Sequence, residues 1–241
     1  MKDKSSVFTR RIITWGLAMA TSFGWLAGGG GTLHAASVPA GFTESVVSGP
    51  TAGSWNEALG LTFESTGRMW VWERGGRVWI KDPSDSGFSL LLDISEEVGN
   101  WDDHGFLGLA IDPGFRVNGF FYVMYVVDRH HLINFGTGSY DPNQNQYDSA
   151  TIGRITRYTC TAASNFRTVN PASRFILVGE TRQTGIPVLS TSHSVGTLLF
   201  AQDGTLLAST GDGASAWTTD LGGAAAMSYA CLLYTSDAAD E

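Results

Sequence analysis

Beyond residue 36 the apolar positions fall in short runs, each broken by a polar turn that closes on glycine. Leu59-Gly60-Leu61-Thr62-Phe63 is followed by Thr66-Gly67 and then Arg68-Met69-Trp70-Val71-Trp72. Leu107-Gly108-Leu109-Ala110-Ile111 is followed by Asn118-Gly119 and Phe120-Phe121-Tyr122-Val123. The third pair lies within Ser192–Gly213, on either side of the Gln202-Asp203-Gly204 turn. Apolar run, turn and apolar run is the pattern of an antiparallel hairpin, in which the turn sets the register of both arms. Further strand candidates follow the first two pairs: Arg77–Lys81 and Ser89–Ile94, then Gly153–Tyr158 and Arg174–Val178.

Four short strands per unit, recurring about every 40–50 residues, predict an all-β fold of propeller blades. About two and a half such blades are visible, the second lengthened by a polar insertion from Arg129 to Ala150 that reads as a rim loop. A blade buries its faces only against neighbouring blades. The chain as written is therefore expected to leave sheet faces open and to fold poorly by itself.

Composition agrees with many tight turns: 30 glycines among 241 residues, with abundant aromatics and few prolines. A formal net charge of −8 and the absence of a basic stripe argue against nucleic acid or an anionic membrane as partner. Residues 1–36 read as an export signal: Lys2, Lys4, Arg10 and Arg11 precede an apolar run from Ile12 to Ala27, and Leu33-His34-Ala35-Ala36 offers a small-residue cleavage site. Thr9-Arg10-Arg11-Ile12-Ile13 resembles a twin-arginine signal, and a general secretory signal fits as well. The expected destination is periplasmic or extracellular, with no membrane attachment after cleavage. Residues 231–241, beginning Cys231-Leu232-Leu233-Tyr234-Thr235-Ser236, resemble read-through of a sequencing adapter, which marks the chain as a fragment. Cys160 is then a lone thiol, and no disulfide framework is expected.

Candidate chemistry concentrates on the third hairpin. His193 enters its first arm and Asp212 leaves its second, so both lie at the end opposite the turn. A histidine beside a carboxylate is a general-base arrangement; the same pair also serves simply to close a hairpin. Trp70, Trp72 and Trp79 alternate on strands and read as core. Trp101 and Trp217 sit in loops and are candidates for stacking on a sugar. His130-His131 lacks further ligands at metal-binding spacing and reads as surface loop, and the Gly28–Gly31 run lies in the leader. The adjacent Asp102 and Asp103 suit either a solvated loop or calcium.

From about Val38 to Asp212 the chain resembles the glucose/sorbosone dehydrogenase family of secreted six-bladed propellers. The matching landmarks are Val38-Pro39-Ala40-Gly41-Phe42, Glu73-Arg74-Gly75-Gly76-Arg77, His104-Gly105-Phe106-Leu107-Gly108-Leu109-Ala110-Ile111-Asp112-Pro113-Gly114-Phe115, and His193-x-x-Gly196 with Asp203-Gly204 and Thr210-Gly211-Asp212. The resemblance assigns residues 37–230 to the N-terminal part of such a propeller. It implies an exported quinoprotein oxidising a sugar or related polyol, with pyrroloquinoline quinone (PQQ) and calcium as cofactors. His193 would be the base that takes the hydroxyl proton, and Asp212 its orienting carboxylate. Asp103 stands where the enzymes carry a neutral amide near the quinone, which makes it a cofactor-binding candidate and a departure, since a carboxylate repels that anion. The basic residues that hold the quinone lie in later blades of the family. A non-catalytic propeller binding glycan or protein, and a calcium-dependent lactonase-type hydrolase, are the alternatives.

Overall fold

The computed structural model describes residues 39–215 except residue 148. The leader, Trp217 and the tail from Cys231 lie outside the described residues. Two units are distinguished. The first contributes a short irregular segment up to Val46, turned by an N–H of Phe42 that donates to the Pro39 carbonyl at 3.1 Å. The second unit begins at Val47 and holds all the strands of the described residues.

Its first sheet is an antiparallel meander of β1 (Ala58–Phe63), β2 (Met69–Glu73), β3 (Arg77–Lys81) and β4 (Ser89–Asp93), in that spatial order. The second contains β5 (Phe106–Ile111), β6 (Phe120–Val126), β7 (Thr151–Thr159) and β8 (Phe175–Val178), again as a meander. A short β9 (Ile186–Val188) pairs with the first half of the long β7 through Thr151, Ile152 and Gly153, while β8 pairs with its second half. The third sheet is the hairpin of β10 (Val195–Phe200) and β11 (Leu206–Thr210). The all-β expectation therefore holds, with two full blade-like sheets and the opening hairpin of another among the described residues.

Two apolar layers hold these sheets face to face. Trp70, Trp72, Val78 and Ile80 of the first sheet meet Phe106, Leu109, Phe121 and Tyr125 of the second. Trp70 is fully buried and touches the Phe115 and Phe121 rings edge-on at 5.4 and 5.3 Å. On the other side of the second sheet, Met124, Val126, Ile155 and Val188 meet Val195 and Leu198 of the hairpin. The middle strand β6 thus serves both layers, Val123 and Tyr125 facing one and Met124 and Val126 the other. That explains its unbroken apolar run, since a strand covered on both faces has no polar side to alternate with. Gly108 permits the close approach of the hairpin: a Cβ there would lie 3.0 Å from the Leu198 amide nitrogen and 3.2 Å from the Thr197 backbone.

Buried polar clusters pin the loops. The Arg68 side chain is enclosed, donating to Asp82 Oδ1 at 2.7 Å, to the Phe166 carbonyl at 2.9 Å and to the Asn165 carbonyl at 3.1 Å. Glu97 accepts from Arg154, from Arg174 at 2.7 and 2.9 Å, and from the Tyr125 hydroxyl at 2.6 Å. Burial pushes its carboxyl up, but Arg154 and Arg174 outweigh burial and hold it below the usual carboxylate value.

The expectations for His130-His131 and for Trp79 are corrected. After the one-turn helix α1 (Phe115–Asn118), the insertion begins with a second helix, α2 (Arg129–Asn134), whose N-terminus Asp128 caps by accepting from the His131 N–H at 3.1 Å. His130 and His131 are buried rather than on a surface loop, because their rings stack on Tyr140 and Phe135, aromatics whose spacing has no strand period. Trp79 is only half-buried: it pairs with Val71, so it lies on the sheet face opposite Trp70 and Trp72, with its Nε1–H on Glu73 Oε2 at 3.0 Å. Trp101 packs against the His104 and Tyr147 rings at 5.2 and 4.5 Å, which takes part of its ring surface into the fold.

Candidate active site

The third hairpin delivers the two residues that sequence spacing paired. β10 and β11 run antiparallel with Val195 opposite Thr210, so the residues just outside this pair face each other. His193 Nδ1–H donates to Asp212 Oδ1 at 3.1 Å. The Gly213 N–H donates to the His193 carbonyl at 2.8 Å, and the Gly211 N–H to the Ser194 carbonyl at 2.6 Å, closing the strand ends. A Cβ on Gly211 would collide with the His193 carbonyl oxygen, so the Gly-Asp-Gly exit is a steric requirement of this approach.

The Ala214 backbone N–H, the largest influence, and His193 together hold the Asp212 carboxyl below its ordinary value. The imidazole therefore has an ionised partner at neutral pH. Its Nδ1 is committed to that partner, and Nε2 makes no hydrogen bond among the described residues. His193 is half-exposed and sits at φ 54°, in the left-handed region that L side chains rarely adopt.

A cavity of ≈ 470 Å³ opens beside it, lined by residues that include Leu59, Arg74, Asp103, His104, Leu107 and His193. The wall joins all three sheets. Arg74, just after β2, donates to Glu57 at 3.0 and 3.2 Å and to the Asp102 carbonyl at 2.7 Å. Its own carbonyl receives the Phe106 N–H at 2.8 Å. His104 is buried, with Nε2 and the Ser190 carbonyl 2.9 Å apart. Asp103 accepts the His193 N–H at Oδ2 (3.2 Å) and the Ser194 hydroxyl at its carbonyl (2.7 Å).

His193, Asp212 and Asp103 thus come together. Asp102 lines the same cavity, although among the described residues no group of three or more His, Cys, Asp or Glu side chains converges on a metal position. Sequence reasoning missed Arg74, Glu57 and Ser194 as site residues. Arg74 stood in a quoted landmark, but nothing in its spacing says that it reaches the second sheet. A larger cavity of ≈ 800 Å³ lies between the outer strands and α2, lined in part by Leu92, Glu97, His131, Phe135 and Arg174. Its central charges, Glu97 with Arg154 and Arg174, satisfy one another, so the smaller cavity with the half-exposed His193 is the candidate site.

The site can accept a proton at His193 Nε2, with Asp212 stabilising the imidazolium that results. A cradle for an anionic quinone is a different matter. Among the described residues of the wall Arg74 is the sole guanidinium, already bound to Glu57 and the Asp102 carbonyl, and Asp102 and Asp103 add negative charge. The residues described do not fit a tricarboxylate cofactor by themselves.

No curated protein matches the chain. Among solved structures it is similar to the PQQ-bound form of an aldose sugar dehydrogenase from Streptomyces coelicolor, at 18% identity over 71% of this chain and 41% of that one, with a TM-score of 0.44. It is also similar to the apo form of the soluble aldose sugar dehydrogenase from Escherichia coli, at 15% identity over 66% of this chain and 38% of that one, with a TM-score of 0.46. The chain thus spans about two fifths of the length of these structures. The glucose / sorbosone dehydrogenase family model matches residues 55–225, which include all three sheets and the His193–Asp212 pair, and the chain belongs to that family.

Proposed function

We propose that this chain carries the proton-accepting half of an exported dehydrogenase that oxidises a sugar or related polyol, with His193 as general base and Asp212 as its orienting carboxylate. The observation that carries the reading is the half-exposed imidazole whose Nδ1 is held by Asp212 while Nε2 stays unbonded beside a cavity. Membership of a sugar dehydrogenase family supports the reaction class.

In the whole protein, PQQ would supply the hydride acceptor, by analogy with the quinone-bound Streptomyces relative. The described wall offers it no cation cradle. What these residues do is local. A substrate hydroxyl seated against Nε2 would give up its proton to the imidazole, and the carboxylate keeps the ring in the productive tautomer. Leu59 and Leu107 give the cavity wall an apolar side.

The test is dye-linked sugar oxidation by the protein expressed from its complete gene, with and without added PQQ and calcium. Quinone-dependent turnover that is lost in His193→Ala supports the reading. Lactone hydrolysis without quinone, or glycan binding without turnover, would replace it.

A further inference from the structure

Asp103 touches His193 through the backbone, not through the ring. Its Oδ2 accepts the His193 N–H at 3.2 Å, its carbonyl accepts the Ser194 hydroxyl at 2.7 Å, and its own N–H donates to the Thr191 carbonyl at 3.1 Å. The loop before β5 therefore grips residues 191, 193 and 194 from outside the hairpin. The loop is itself braced: the Asp102 carbonyl accepts Arg74 at 2.7 Å, and Arg74 is fixed by Glu57. Both Asp102 (φ 46°) and His193 (φ 54°) hold the left-handed backbone region without being glycine, and such conformations persist only where surrounding contacts over-determine them.

We propose that Asp103 is a positioning residue for the base: its carboxylate holds the His193 backbone in the left-handed conformation that aims the imidazole into the cavity. The reasoning is geometric. The direction of a Cα–Cβ bond follows from φ and ψ, so a histidine released to the common extended region would point its ring elsewhere. Asp212 fixes the ring only after the backbone has aimed it. Asp103 belongs to the neighbouring sheet and fixes the backbone independently. Its side chain is exposed, so removing it disturbs no apolar packing.

This inference rests on His193 being the base, and its test separates the two. In the complete protein, Asp103→Ala is expected to lower kcat by about 10- to 100-fold with KM held within about threefold, as misplacement of a reacting group does. Asp103→Asn retains an acceptor oxygen and is expected to restore most of that loss. Adding Asp103→Ala to His193→Ala is expected to cost nothing more, because the two act through one group. Independently of activity, the His193 amide is expected to exchange with solvent about tenfold faster in Asp103→Ala, with Asn again restoring protection. Unchanged amide exchange in Asp103→Ala, a change confined to KM, or failure of Asn to rescue overturns the positioning role. Full turnover in His193→Ala overturns the base reading, while the amide exchange still decides whether Asp103 sets the backbone.

Discussion

His193 and Asp212 stand 19 positions apart in sequence and 3.1 Å apart in space, joined through Nδ1 and Oδ1. One complete hairpin lies between them, so the separation is the length of two arms and a turn. Because Asp212 is held ionised by the Ala214 N–H and by His193, it titrates below its ordinary value and keeps its charge where the imidazole gains or loses a proton.

Turnover should accordingly need both members of the pair. Asp212→Asn removes the carboxylate that orients the ring and stabilises the imidazolium formed in the reaction, so kcat should fall. His193→Ala should cost about 10²–10⁴-fold in kcat, the usual worth of a positioned base. A kcat unmoved by Asp212→Asn would show that the pair does not act together.

Glu97 predicts a pH-dependent stability. Its folded carboxyl sits below the usual value, so its contribution is present above the unfolded value of 4.5 and is lost as pH falls through the folded one. Glu97→Gln leaves Arg154 and Arg174 uncompensated and should destabilise the second unit by about 3–5 kcal/mol at pH 7. The gap between wild type and variant should narrow steadily below pH 4.5, measured by guanidinium unfolding at each pH.

Gly108 is where the hairpin rests on β5. Gly108→Ala puts a methyl carbon 3.0 Å from the Leu198 nitrogen, against backbone that has no rotamer to yield. Overpacking of this kind costs about 1–3 kcal/mol. The strain should appear in the hairpin, as faster amide exchange across Val195–Phe200 with little change in β2 or β3.

Cys160 is buried, and burial pushes its thiol up to about 12. At pH 8 it should resist iodoacetamide in the folded protein and react on unfolding, with the modified peptide identified by mass spectrometry. Ready labelling of the native protein would contradict the packing of Cys160 in the first core layer.

Local pattern carried much of this protein. The strands, the hairpin turns and the proximity of His193 to Asp212 follow from alternation and turn chemistry, which act over a few residues and are written in order along the chain. So does the burial of Trp70 and Trp72, two positions apart on one strand face. The His130-His131 helix escaped because its signal is a capping aspartate and ring stacking on Tyr140 and Phe135, which have no strand period. Trp79 was misread because its face depends on the register of β2 against β3.

What only the tertiary structure decided is who stands beside whom across sheets. Asp103 meets the His193 amide over 90 positions, and Arg68 reaches the Phe166 carbonyl over 98. Arg74 bridges the first sheet to the loop that holds Asp103. Sequence period states which face a side chain takes but not which neighbour covers it. That choice is made by packing of whole sheets, and here it sets the Asp103 carboxylate against the backbone of His193.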